Sequence, residues 1–127
     1  MNLALWIATG LLAVVALAGG IIKTSIPKWK LAEQYGGGWV KNVSVGFVKT
    51  IGVLEILAAA GLILPAVVDT APILVPVTAV CWMVVMIGAI ITHLRLGEGK
   101  LVAVNLIYLA LAAFIAWGRF GPESFIL

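Results

Sequence analysis

Glu55 sits inside a largely apolar stretch, Val45 to Leu64, of a 127-residue chain, with only Lys49 sharing that block as a second charge. A carboxylate in the middle of a membrane span costs about 2.5–3.5 kcal/mol even on the lenient insertion scale, so it should face other helices and find a partner there. The available partners are Lys23, Lys49, His93 and Asn105. Glu55 and His93 together could pass a proton, which makes them the candidate catalytic pair. Interhelical glue, a hydrogen bond from Glu55 to Asn105 or His93 that fixes packing, is the alternative. His93 is the chain's single histidine and is followed by Leu94-Arg95, so by itself it reads as an interfacial residue. Asn105, four residues inside its apolar block, needs an interhelical partner. Lys23 is a topology signal first, and Lys49 reads as a snorkelling lysine. Trp82, Met86 and Tyr108 read as packing residues that would line any ligand pocket. The candidate ligand-binding set is therefore Lys23, Trp82, Met86, Asn105 and Tyr108. Depth is the obstacle to a Glu55–His93 cluster. Val45 to Glu55 is ~15 Å of helix, whereas His93 ends its span. The cluster closes if the second span begins later, or if long side chains reach inward.

Other chemistries lack their residues. One histidine cannot supply bis-histidine haem ligation, and one cysteine, Cys81, supports neither a disulfide nor an iron–sulfur site. A zinc site would need more ligands than this His, this Cys and one Glu on three spans. Gly36-Gly37-Gly38 follows no strand and has no GKS-type continuation, so it is not a phosphate loop. Ser25, Ser44 and Ser124 lie outside the spans, which leaves no nucleophilic triad.

The elements that position these residues follow from composition. The chain is 64% hydrophobic and 10% charged, with 8 basic and 5 acidic residues, and its mean hydropathy is +1.23. Soluble chains average about 25% charged residues, so soluble enzymes, nucleic-acid binders and disordered tails are excluded. Four apolar blocks, residues 3–22, 45–64, 73–93 and 101–118, are long enough to cross a ~30 Å hydrocarbon core. Backbone polar groups in lipid must be satisfied internally, and the blocks show no period-2 alternation, so each is a helix. The expected architecture is an all-α four-helix membrane bundle forming a single domain. Residues 1–5 carry no lysine or arginine, so the first block reads as a span rather than a cleaved leader. Pro65 and Pro72 bracket a short link between the second and third spans.

Small and polar residues line one face of each span: Ala13, Ala16, Gly20 and Lys23 on the first; Gly52, Glu55 and Ala59 on the second; Trp82, Met86, Ala89 and His93 on the third; Asn105, Tyr108, Ala112 and Ala116 on the fourth. Such faces pack together in lipid, giving a partly polar interior. They are also compatible with a homodimer, although no surface is singled out. Lys23, Lys28, Lys30, Lys41, Arg95 and Lys100 lie in the connections 23–44 and 94–100, against Arg119 alone on the other side. The positive-inside rule puts both connections in the cytoplasm and both termini outside, as expected for a multi-pass protein of a cytoplasmic membrane. The partner is the lipid bilayer; nothing suggests nucleic acid. The long connection mixes lysines with Trp29 and Trp39 and reads as an interfacial anchored loop, with a surface-lying helix over 28–35 ended by the glycines as the alternative.

Two segments, IGVLEILAAAGLILP over 51–65 and GAIITHLRLGE over 88–98, preceded by Lys23, Pro27 and Trp39 in order, resemble the DoxX-like family of small bacterial four-helix membrane proteins. The resemblance covers nearly the whole chain. It implies a bacterial inner-membrane protein that binds a quinone or another lipophilic molecule within the bundle. It also implies action alone or beside a soluble or membrane oxidoreductase partner, since the family is named from a subunit of a thiosulfate:quinone oxidoreductase. By the resemblance, Glu55 and His93 match the family's usual polar positions, and Lys23 matches more weakly. The chain has no redox centre of its own among its residues, which leaves open whether it is an enzyme. Two other readings stand beside this one. One is a proton-coupled transporter of small lipophilic compounds; the other is a structural or assembly subunit.

Overall fold

The computed structural model describes residues 1–34 and 37–125. Four long helices dominate it: α1 (Asn2–Ser25), α3 (Val45–Val67), α4 (Leu74–Arg95) and α5 (Gly99–Phe120), with a short α2 (Lys28–Glu33) and a 3₁₀ segment (Gly38–Asn42) between α1 and α3. Each long helix is long and apolar enough to cross a membrane. Leucine, isoleucine and valine cover the outward faces, with Leu3, Val14, Leu57, Val84 and Ile107 all more than half exposed. That surface suits lipid and not water.

The helices form a ring in the order α1, α3, α4, α5, each packing on the next. The tightest neighbours are α1 with α3 and α4 with α5, so the bundle is built from two helix pairs. The first pair meets backbone to backbone: a Cβ added at Gly20 would lie 2.6 Å from the Gly52 carbonyl oxygen. Glycine at both positions is what permits that approach. The two pairs touch near one end, where Gly61 of α3 meets Thr78 of α4 and Gly118 of α5 meets Leu5 of α1. Between them lies an apolar core of Leu12, Ala16, Ala59, Leu62, Val75, Ala79, Ala112 and Ile115. Toward the other end, which carries Lys28, Lys30, Lys41, Arg95 and Lys100, the pairs diverge and leave a cleft.

Local chemistry sets the helix ends, and several run past the apolar blocks. Lys49 does not snorkel. Its ammonium donates to the carbonyls of Lys23 (2.9 Å), Thr24 (3.2 Å) and Ile26 (3.0 Å), which satisfies the end of α1 and carries that helix to Ser25. Ser44 caps α3 by accepting from the Phe47 amide at 3.1 Å. Pro65, expected in the link, lies inside the last turns of α3 and is buried there. The remaining turn, 68–73, is tight enough to hold Asp69 and Ala71 at positive φ.

The connection between α1 and α3 is more than an anchored loop. Leu31 of α2, Val40 of the 3₁₀ segment and Val48 of α3 bury one another, with Ile26, Trp39 and Val43 packed around them. The expected helix over 28–35 runs only to Glu33; Tyr35 and Gly36 lie outside the described residues.

Candidate functional site

The cleft at the basic end has a volume of about 640 Å³. Every candidate catalytic or ligand-binding residue lines it: Lys23 from α1, Glu55 from α3, Trp82, Met86 and His93 from α4, and Asn105 and Tyr108 from α5. Val15, Ile51, Val85 and Ala89 complete apolar walls, and Trp39, Asn42 and Val43 reach in from the connecting segment.

Glu55 is only 8% exposed, and its Oε1 lies 2.7 Å from Lys23 Nζ. Lys23, not His93, is the residue that reaches the depth of Glu55, and side-chain direction is what brings it there. Helical side chains lean toward the helix N-terminus, so Lys23 reaches back about one turn into the bundle. Gly19, one turn before Lys23, clears the space: a Cβ there would lie 2.7 Å from Glu55 Oε2. The first two spans thus carry an ion pair held in a slot between two backbones, and Lys49 plays no part in it.

His93 does not pair with Glu55. Its Nδ1 lies 2.9 Å from Glu98 Oε1, a residue of the α4–α5 connection. Asn105 and Tyr108 have no side-chain hydrogen bond among the described residues, although Asn105 was expected to bond across helices. Both are partly accessible and line the cleft. Trp82 is 3% exposed and its indole Nε1 has no partner. The arrangement is therefore one satisfied ion pair on the α1–α3 wall, a His–Glu pair at the mouth, and an unpaired amide and phenol on α5. No group of three or more His, Cys, Asp or Glu among the described residues could hold a metal ion.

Sequence reasoning missed Glu98 and the connecting segment's Trp39. The first was readable from Gly97, which ends α4 and turns the chain back on it. The second was hidden because a loop's path over a bundle is decided by tertiary packing, here the small core around Val40.

A second buried charge lies at the opposite end. Arg119, expected at a span edge, is 2% exposed in the last turn of α5. Its Nη1 donates to Asn2 Oδ1 (2.8 Å) and the Glu123 carbonyl (2.9 Å), and its guanidinium lies over Trp6 (5.5 Å) and Phe125 (3.9 Å). It ties the C-terminal residues to the start of α1.

Fold and site together define an integral membrane protein: a four-helix bundle with a polar-lined cleft opening between two helix pairs. The model of the DoxX-like family matches residues 7–115, most of the chain, and the chain belongs to that family. No curated protein and no solved structure matches it.

Proposed function

We propose that the cleft binds a lipophilic small molecule with a polar head, and that the protein serves a membrane oxidoreductase system in a bacterial cytoplasmic membrane with its basic end inside. A quinone is the class that the family resemblance implies. The observation that carries the reading is the unpaired amide of Asn105 and phenol of Tyr108 in a cleft of ligand size whose walls also carry Trp82, Val85 and Met86, and in which Lys23 is paired with Glu55 and His93 with Glu98. Drug-sized ligands occupy clefts of about 300–1,000 Å³, with a few polar groups fixing orientation. A quinone fits these residues: Asn105 and Tyr108 would hold its carbonyl oxygens, while Trp82, Met86 and Val85 would cover its ring and tail. Bound there, a quinone would supply two-electron redox chemistry; the chain's residues would bind and orient it. Its electrons would come from or go to a partner protein, because this chain has a single histidine and a single cysteine.

The ion pair weighs against proton-coupled transport through Glu55, since that carboxylate is already neutralised by Lys23 at 2.7 Å. Its role in this reading is to shape the wall of the cleft. The test is quenching of tryptophan fluorescence by a short-tailed benzoquinone, with protein in lipid nanodiscs. Saturable quenching is expected, weakened about three- to tenfold by Tyr108→Phe or Asn105→Leu, the worth of one hydrogen bond. Absence of saturable quenching, or equal affinity in both variants, would refute it.

A further inference from the structure

The end of α4 is built so that a carboxylate meets the histidine. Gly97 adopts φ +72, and two backbone bonds close the helix: the Gly97 amide donates to the Leu94 carbonyl (3.2 Å) and the Glu98 amide to the His93 carbonyl (2.9 Å). This 6→1 and 5→2 pattern around a left-handed glycine is the Schellman motif, which places the residue after the glycine beside the one five positions earlier. A hydrophobic contact usually fills that juxtaposition. Here it holds Glu98 Oε1 against His93 Nδ1 at 2.9 Å.

An ionised carboxylate only accepts hydrogen bonds, so the proton of that contact is on Nδ1. In the neutral ring the other nitrogen, Nε2, is then a bare acceptor. Nε2 has no hydrogen-bond partner among the described residues, and His93 lines the cleft. Glu55, the other carboxylate of the cleft, is engaged by Lys23.

We propose that Glu98 is a positioning residue that holds His93 as a hydrogen-bond acceptor toward the cleft, and that the molecule bound there carries a hydroxyl head, a phenol or hydroquinol, which donates to Nε2. The proposal rests on the lipophile-binding reading and narrows it, because a ligand offering only carbonyl oxygens gives Nε2 no proton to accept. Tyr108 and Asn105 can each accept from or donate to the same head, so they do not select between the two classes. His93 does.

The chain's single histidine makes the tautomer directly observable. With isotope-labelled histidine ring nitrogens, magnetic resonance of the nanodisc-embedded protein with the ring in its neutral form should show the proton on Nδ1. Glu98→Ala should move it to Nε2, and Glu98→Gln, whose amide oxygen still accepts, should restore Nδ1. In parallel, para-nonylphenol should bind about five- to tenfold tighter than its methyl ether, which cannot donate. Glu98→Ala should shrink that ratio to about twofold or less. A wild-type proton on Nε2, a spectrum unchanged by Glu98→Ala, or equal affinity for phenol and ether would overturn the proposal. Failure of both probes to bind would instead overturn the lipophile-binding reading on which it rests.

Discussion

Three glycines on α1 differ only in what an added methyl group would meet, and so they test how the bundle is held together. At Gly10 a Cβ meets nothing within 4 Å. Gly10→Ala should therefore stabilise the helix by about 0.5–1 kcal/mol, the ordinary gain on removing a mid-helix glycine. At Gly20 the Cβ would lie 2.6 Å from the Gly52 carbonyl oxygen, 2.6 Å from Ile56 Cγ1 and 2.9 Å from the Ile56 amide nitrogen. Two of these are backbone atoms, so α1 and α3 must separate. Overpacking of this kind costs about 1–3 kcal/mol, and the backbone partners put Gly20→Ala in the upper half of that range. Gly19→Ala is intermediate. Its Cβ would lie 2.7 Å from Glu55 Oε2 and 3.4 Å from Lys23 Nζ, both at the ends of flexible side chains. The carboxylate must retreat by several tenths of an ångström, weakening a charge-assisted bond worth about 1.5–3 kcal/mol. Set against the helix gain, the net loss is about 1 kcal/mol. In a Glu55→Ala background the obstacle is gone, and Gly19→Ala should become neutral or stabilising. The coupling between the two sites is then about 1–2 kcal/mol. Unfolding in mixed micelles with increasing denaturing detergent reads all of these differences. The order expected is Gly10→Ala above wild type, then Gly19→Ala, then Gly20→Ala. Equal stability of the Gly10 and Gly20 variants would refute the close-crossing argument. A Gly19→Ala cost unchanged by Glu55→Ala would refute the slot.

Lys49→Met removes all three bonds to the end of α1 and should cost about 2 kcal/mol, with amide hydrogen exchange rising first over residues 23–26. Ala71→Gly relieves a left-handed alanine and should raise stability by about 0.5–1 kcal/mol in the same unfolding assay. Gly97→Ala strains the φ of +72 that the α4 terminus requires; it should cost about 1–2 kcal/mol and disturb the His93 ring signals more than those of other residues. Arg119→Lys weakens the cation–π contacts to Phe125 and Trp6 and the bond to Asn2, and proteolysis should then cleave the tail after residue 120 faster than in wild type.

The four helices were legible because a run of about 20 apolar residues has one stable form in lipid. So was the stripe of polar and small residues on each, which is why Lys23, Glu55, His93 and Asn105 could be named before any contact was known. Which of them would meet could not be read. Lys23 and Glu55 lie 32 positions apart, and their meeting depends on the offset between α1 and α3, which Gly20 and Gly52 set by letting the backbones touch. From the sequence Lys49 reads as a snorkelling lysine and Arg119 as an edge charge, because apolarity marks where hydrocarbon ends, not where a helix ends. Lys49 is held by three backbone carbonyls and Arg119 Nη1 by Asn2 Oδ1 and the Glu123 carbonyl, oxygens that only the folded bundle supplies, while Arg119 Nε and Nη2 have no hydrogen-bond partner among the described residues. Glu98 is the reverse case: its partner is local, and the glycine beside it announced the turn.

The cleft reaches only part of the way through the bundle, and the closed end is filled by Leu12, Leu62, Val75, Ala79 and Ile115. This asymmetry has an electrical meaning. A membrane voltage falls mostly across the low-dielectric portion, here the packed apolar half, and acts at about 2.3 kcal/mol per elementary charge per 100 mV across the full thickness. Charges that enter from the basic end and stay in the cleft cross little of that drop. Proton exchange between His93 and water on that side should therefore be nearly silent to voltage, and occupancy of the cleft should be the same in energised and de-energised vesicles.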